Sequence, residues 1–379
     1  MFKMTDLKEL RAQINRVDRE MVSLFKRRMD ISKQVALYKK ENSLPVMDIK
    51  REREVLEKAQ QLGGEYGSAV KLMYSNLMEL SRAVQYDIID KDNSLKEEIE
   101  NAAPMPDIKN ARVAFQGIKG ANSHEAALCL FPEGELHSYK TFEDVFEAVQ
   151  RGECDYGILP VENSTAGSVS AVYDLILRYR FYIVKAYDMP IDYCLAGLRQ
   201  AELSDIEKVM SHPQALSQCE LYTGKKGFEP LPCSNTAVAA RNTAREKRLN
   251  LAAICPYKAA EEYGLKILDN HLQDNPNNTT RFIVISKKLY ISENANKVSL
   301  CFSLPHVTGS LYSLLCRFNS LGLNLTKIES RPISGRDFEY LFYLDFSGSV
   351  KTVGVTKLLC QLSEEMPEFS FLGNFNERN

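Results

Sequence analysis

Apolar residues recur at alternating spacings of three and four from Leu7 through Leu10, Ile14, Val17, Met21 and Leu24 to Ile31, Val35 and Tyr38. That is a heptad seam, and it predicts one long helix over about residues 5–41. Thr5 can cap its start, with Asp6 in the first turn, and Asn42 with Pro45 ends it. The seam position that breaks the pattern holds Arg28. A buried guanidinium is costly unless an anion meets it. A ligand anion or a glutamate of a neighbouring helix would serve, and the pattern leaves both open. A second helix begins after Pro45-Val46-Met47-Asp48, with Asp48 as its cap and Arg51 and Glu52 in its first turn. A third, over about residues 68–86, carries Ser81 and Gln85 four residues apart on one face. Plain solvent exposure is the alternative explanation for that polar pair.

Charges from Asp90 to Glu100 then give way to Asn101-Ala102-Ala103-Pro104-Met105-Pro106-Asp107, so residues 91–110 read as an irregular linker. Next comes a strand, Ala111-Arg112-Val113-Ala114-Phe115-Gln116, then Gly117-Ile118-Lys119-Gly120-Ala121-Asn122-Ser123 and a helix beginning near His124. A strand, glycine loop and helix start form a general anion site, or an ordinary tight turn. Alternation continues with helix 141–150, strand 156–161, helix 169–180 and strand 181–187, the pattern of an α/β domain with both sheet faces covered. Polar clusters follow or lead into strands: Glu162-Asn163-Ser164-Thr165, Ser211-His212-Pro213-Gln214, Ser234-Asn235-Thr236 and Asn278-Thr279-Thr280-Arg281. Open α/β sheets bind ligands at such places, so four of them favour a small-molecule cleft. His212, beside Pro213, reads as shaping its loop more than as an acid. Residues 297–375 show strand, helix, two strands, helix and strand, which is the ferredoxin-like order. That region has no catalytic constellation, which favours a regulatory or structural role. Gly309, before Ser310 and Leu311, lets a ligand approach the backbone, and Glu329-Ser330-Arg331-Pro332 ends a strand.

Composition narrows the class. A chain of 379 residues suggests two to four domains. Hydrophobic residues at 44% and charged residues at 26% are ordinary for a globular protein, and no 18-residue apolar run suggests a membrane span. The first residues lack a signal-peptide pattern, so a cytoplasmic location is expected. Nine cysteines without a C-x-x-C pair argue against zinc ribbons, redox centres and a disulfide framework, and for reduced thiols. The net charge of −2 gives no global pull toward nucleic acid, but residues 1–53 alone carry +6. Arg11 and Lys39 flank the seam in one heptad position. Along a helix, Arg28 lies about 16 Å from Lys39 and about 25 Å from Arg11. Two side chains can close on a small ligand across the first gap only. If Arg11 joins that site, it comes from a second copy packed antiparallel.

Leu10-Arg11, Arg27-Arg28, Lys39, Pro45-Val46, Asp48-Ile49, Arg51-Glu52-Arg53, Ser81 and Gln85 together resemble the all-helical chorismate mutases over about residues 5–90. The resemblance implies rearrangement of chorismate to prephenate. Arg28 and a partner-chain Arg11 would hold the two carboxylates, with Arg51 nearby. Lys39 and Gln85 would donate to the ether oxygen as charge develops there. Glu52 would accept from the ring hydroxyl, with Asp48 and Ser81 also lining the site.

Ala114-Phe115-x-Gly117-x-x-Gly120-x-x-Ser123-His124, Pro160-Val161-Glu162-Asn163, Ser211-His212-Pro213-Gln214 and Thr280-Arg281-Phe282 resemble the prephenate dehydratases. That implies a two-lobed α/β fold like periplasmic binding proteins, with Thr280 as general acid. Asn163, Ser164, Thr165, Gln214, Ser234, Thr236 and Arg281 would contact the substrate. The Glu329-Ser330-Arg331-Pro332 and Gly309 stretches resemble the ACT domain of phenylalanine-regulated dehydratases. By that likeness Gly309, Ser310, Leu311, Glu329, Ser330, Arg331 and Pro332 would bind phenylalanine between two such domains. The expected architecture is therefore an all-α mutase domain (1–92), a two-lobed dehydratase domain (108–290) and a ferredoxin-like ACT domain (296–376). The expected ligands are chorismate, prephenate and phenylalanine, in a homodimer or higher homo-oligomer, with no metal or organic cofactor, nucleic acid or membrane. Two other readings exist: a mutase domain retained only for dimerisation, and an amino-acid sensor whose basic helix contacts DNA. The position of Arg28 inside the seam speaks against the latter.

Overall fold

The computed structural model describes residues 6–89, 93–106, 108–333, 335, 336 and 338–378. Thr5 lies outside them. Asp6 caps α1 (Leu7–Glu41), its side chain accepting from the Lys8 N–H. α2 (Ile49–Leu62) starts at Asp48, whose carboxylate accepts from the Arg51 N–H at 3.0 Å, and α3 (Gly67–Ile88) packs against both preceding helices. α1 buries only Met29 and Ala36. Every apolar seam residue from Leu7 to Tyr38 is exposed, and Arg28 alone on the seam is half-buried, so the apolar stripe has no cover among the described residues.

The expected linker contains a helix, α4 (Ser94–Glu100). Asn93 caps it by accepting from the Leu95 and Lys96 N–H groups, and Leu95 and Ile99, one turn apart, are buried against the C-terminal core. The surrounding charges hid this apolar pair. Met105 and Ile108 then pack on the dehydratase core, so the segment is strapped down along much of its length.

The first α/β lobe is built from β1 (Arg112–Gln116), α5 (Asn122–Leu130), β2 (Glu135–Tyr139), α6 (Phe142–Arg151), β3 (Tyr156–Asn163), β4 (Gly167–Ser168), α7 (Ser170–Tyr179) and β5 (Tyr182–Pro190). α6 is fixed at both ends, by a Thr141–Asp144 capping box and by Gly152 in the left-handed region. The second lobe follows: β6 (Cys194–Gly197), β7 (Lys208–Ser211), α8 (Pro213–Gln218), α9 (Glu220–Lys226), β8 (Glu229–Pro232), α10 (Thr236–Glu246), β9 (Leu251–Cys255), α11 (Tyr257–Glu262) and β10 (Lys266–Asp269). The chain returns to the first lobe through β11 (Thr279–Ser286), antiparallel between β3 and β5. Two crossings between lobes give the two-lobed plan.

The C-terminal unit has the order β12 (Lys297–Ser303), α12 (Ser310–Ser320), β13 (Asn324–Pro332), β14 (Tyr340–Ser347), α13 (Val353–Glu365) and β15 (Ser370–Arg378). Its sheet is not separate. β15 pairs in parallel with β5, joining the two into one sheet of order β13-β14-β12-β15-β5-β11-β3-β1-β2, with β4 beside β3. Cys301, Tyr343, Leu372 and Phe375 accordingly share a core with Val172, Ile183 and Ile283 of the first lobe. All nine cysteines are free thiols. No helix among the described residues is long and apolar enough to cross a membrane.

Candidate active sites

In the helical domain, Arg28 meets neither a glutamate nor plain solvent. Its Nη1 donates to the Leu77 carbonyl at 3.1 Å and to Ser81 Oγ, and burial lowers its pKa. Ser81 and Gln85 are buried, which removes solvent exposure as their explanation. Gln85 Nε2 donates to the Ser81 carbonyl at 3.3 Å, while its Oε1 is buried and without a partner among the described residues. Lys39 Nζ donates to the Val46 carbonyl at 2.5 Å. Burial pulls its pKa down; Asp48 and Glu52 oppose that, and Arg82 adds to it. Lys39, Asp48, Glu52 and Arg82 therefore share one electrostatic neighbourhood, and α1 and α3, which carry Lys39 and Arg82, are the same helices that bring Arg28 to Ser81. Arg51 is exposed and paired with Glu54 at 3.3 Å. Arg11 is exposed on the uncovered part of α1, and about 25 Å of helix separates it from Arg28. Sequence reasoning missed Arg82, which is buried and pairs with both Glu52 and Glu79. Only its partner at i−3, Glu79, could have signalled it.

The second constellation lies where the lobes meet. β3 ends at Asn163, directly opposite Thr280 in β11. Asn163 Nδ2 donates to Thr280 Oγ1 at 2.9 Å and to Asn278 Oδ1 at 2.8 Å. Its Oδ1 accepts from the backbone N–H groups of Thr165 and Ala166, at 3.1 and 2.9 Å. From the other lobe, Gln218 at the end of α8 donates to Asn163 at 3.4 Å and accepts from Asn278 at 3.1 Å. Asn163, Asn278 and Thr280 are all buried. With Asn163 donating to its oxygen, the Thr280 hydroxyl keeps its own proton for another acceptor. Ser164 Oγ accepts from the Thr279 N–H at 3.0 Å, locking the loop to β11. Gln218 and Asn278 are the residues sequence reasoning left off this site; Asn278 lay inside a recognised cluster, but Gln218 carried no signal.

The loops after β7 and β8, two adjacent parallel strands, place Gln214 and Ser234 on one edge, both exposed, with Thr236 buried in the first turn of α10. His212 caps α8: its Nδ1 accepts from the Gln214 N–H at 3.2 Å, and burial lowers its pKa. Gly117 and Gly120, at φ 106° and 83°, complete the cleft rim. A Cβ on Gly120 would lie 2.7 Å from Ala259 Cα, so glycine there permits α11 to approach. Across the rim, the Gly120 N–H donates to His124 Nδ1 at 3.2 Å.

Arg281 faces away from this cleft. Side chains alternate along a strand, so Arg281 and Thr280 point to opposite faces. Its guanidinium is held by Asp188, at 2.7 and 2.8 Å, and by Glu377 of β15 at 2.7 Å. That geometry corrects its expected place among the substrate contacts. The expected effector residues also divide between two faces. Glu329 accepts from Ser168 Oγ at 2.5 Å and Arg331 pairs with Asp174 at 2.6 Å, both toward the dehydratase domain. Ser330 and Pro332 are exposed on the other face. Gly309 sits at φ 92° with open space about it, next to Ser310, whose Oγ donates to the Pro305 carbonyl at 2.7 Å, and to Leu311, which packs on the domain core.

Comparison with known proteins matches these units. Residues 10–86 fit the family described as chorismate mutase type II, and residues 113–289 fit prephenate dehydratase. A bifunctional chorismate mutase/prephenate dehydratase of Aquifex aeolicus is 32% identical over 376 residues, covering 98% of each chain. That of Escherichia coli is 29% identical, covering 98% of this chain and 96% of its own. Among solved structures, a prephenate dehydratase from Arthrobacter aurescens in complex with L-Phe is 31% identical with a TM-score of 0.65, covering 70% of this chain and 89% of its own. With an all-helical mutase domain, a two-lobed dehydratase domain and an ACT-like unit in that order, the chain belongs to the bifunctional chorismate mutase/prephenate dehydratases, enzymes of aromatic amino-acid biosynthesis.

Proposed function

We propose that the helical site uses Arg28, with Arg51 nearby and Arg11 of a second copy, to bind the two carboxylates of chorismate in its compact reactive conformer. Lys39 and Gln85 donate to the ether oxygen as the C–O bond breaks and the new C–C bond forms. Glu52 accepts from the ring hydroxyl, and Asp48 and Ser81 fix the backbone and Arg28 around the substrate. The buried Gln85 amide, whose Nε2 gives one N–H to the Ser81 carbonyl and keeps a second, and the exposed stripe from Leu7 to Leu24 support this reading. The first suits a site completed by ligand, and the second a helix covered by a second copy that brings in Arg11.

In the cleft, Thr280 protonates the departing hydroxyl of prephenate. The electrons of the carboxylate C–C bond aromatise the ring as carbon dioxide and water leave, giving phenylpyruvate. The observation that carries this is the Asn163-to-Thr280 hydrogen bond, 2.9 Å long and buried, which stabilises the alkoxide left behind. Asn163, Ser164, Thr165, Gln214, Ser234 and Thr236 form the binding edge, with Arg281 holding β11 from behind. Phenylalanine is the effector, received by Gly309, Ser310, Leu311 and the Glu329–Pro332 strand end between two ACT-like units. Incubation with chorismate should give prephenate and then phenylpyruvate. An Arg28→Ala protein should fail on chorismate while still converting added prephenate, and loss of neither step would refute the assignment.

A further inference from the structure

The mutase site and the ACT-like unit are joined by a line of alternating buried charges. Arg82 of α3 places Nη1 on Glu52 Oε1 and Nη2 on Glu79 Oε1. The other oxygen of Glu79 accepts from Nε of Arg317, on α12, at 2.8 Å. Arg317 Nη2 continues to Glu365 of α13. The side chains of Arg82, Glu79, Arg317 and Glu365 are only 8%, 9%, 11% and 3% exposed, so water screens this line poorly. No apolar cluster among the described residues spans α3 and α12; a cavity of about 570 Å³, lined by Glu79, Arg82, Tyr312 and Arg317, lies between them. The contact is thus polar and hollow, and its geometry depends on the charges.

Glu79 shares its carboxylate between two arginines. If Arg317 withdraws, Glu79 draws Arg82 more strongly, at the expense of Glu52. Arg82 occupies only one oxygen of Glu52, leaving Oε2 for another donor. We propose that Arg82 is a positioning residue of the mutase site, and that Arg317 of the ACT-like unit acts on that site through Glu79 and Arg82. This rests on the reading of Glu52 as a substrate contact. α12 begins at Ser310, about 10 Å along the helix from Arg317, so a shift at its first turn reaches the charged line directly.

The test uses the full chain, with chorismate kinetics as readout and prephenate dehydration plus thermal melting as fold controls. Arg82→Met should raise the chorismate KM at least tenfold with a smaller change in kcat, and Arg82→Lys should recover part of it. Arg317→Met should raise KM threefold to tenfold in the native background and add nothing in the Arg82→Met background, the non-additivity expected of residues acting in series. Arg317→Lys, milder for folding, should show the same pattern with a smaller amplitude. Equal effects of the Arg317 substitutions in both backgrounds, or none in either, overturn the proposal. Glu52→Ala separates the layers. Unchanged mutase activity there refutes the site reading and this inference with it, whereas a loss there with silent Arg317 variants refutes this inference alone.

Discussion

Thr280→Val replaces a hydroxyl by a methyl of nearly equal volume, and the structure separates its effect on folding from its effect on chemistry. The Thr280 oxygen accepts one hydrogen bond, from Asn163 Nδ2, and that same nitrogen also reaches Asn278 Oδ1 at 2.8 Å. Asn163 is therefore not orphaned by the substitution, and the folding cost is that of one ordinary hydrogen bond, about 0.5–1.5 kcal/mol. Loss of a general acid costs a factor of about 10²–10⁴, or about 3–5 kcal/mol of barrier. Phenylpyruvate formation at saturating prephenate should fall by that factor while the melting transition shifts by a few degrees. Thr280→Ser keeps the donor and should retain most of the rate. Equal turnover by the valine and serine variants would refute the acid assignment, and a valine defect confined to KM would make Thr280 a binding group.

Arg11→Ala and Arg28→Ala proteins should each lack mutase activity, and co-refolding them should restore part of it in hybrid dimers; inactive verified heterodimers would rule out a shared site. Phenylalanine should inhibit dehydration in a way that added prephenate does not relieve, and Glu329→Ala should raise the half-inhibiting concentration within the 5- to 150-fold range of ordinary coupling; competitive inhibition would move the effector to the cleft. His124 should make stability fall in acid. Burial lowers its pKa below 6.5, helped by Lys119 and opposed by Glu262, while its Nδ1 accepts from the Gly120 N–H. The unfolded chain then takes up the proton first as pH drops through 6.5, so stability is full above that value and declines toward the lower folded pKa. The melting temperature of His124→Asn should be flatter between about pH 6.5 and 5 than that of the parent, and parallel curves would exclude the role.

Local patterns made much of this molecule legible. The long first helix, the strand–helix alternation and the ferredoxin-like order all follow from periodicity; Asp48 caps α2 as expected, whereas Asp6, expected in the first turn of α1, is its cap. What escaped was long-range. Leu95 and Ile99 look like a charged linker until the C-terminal core they cover is present. Arg82 and Gln218 gain meaning only through Glu52 and Asn163, which lie 30 and 55 residues away in the chain. The placement of Arg281 was within reach. Adjacent residues of a strand cannot both enter one cleft, so choosing Thr280 for the cleft already sends Arg281 to the far face.

That far face gives the ACT-like unit its hold on β11. Behind Thr280, Arg281 is clamped between Asp188 of β5 and Glu377 of β15, and Glu377 also binds Lys297 of β12 at 2.9 Å. Nearby, Lys327 of β13 reaches Glu162 of β3 at 3.3 Å and lies over the Tyr173 ring at 4.9 Å. The Arg281–Glu377 and Lys327–Glu162 pairs cross from the dehydratase lobe to the C-terminal unit, and buried pairs of this kind are costly to break because the survivor is left unpaired. Deleting the C-terminal unit would strip Glu377 from Arg281 and expose the apolar face of β5 and α7 along with it. Point substitutions at Gly309 or Glu329 therefore probe regulation more cleanly than truncation does. In this chain the ACT-like unit is the continuation of the dehydratase sheet, and a ligand that displaced β13 or α12 would act directly on groups bonded to the dehydratase strands and to the mutase helix.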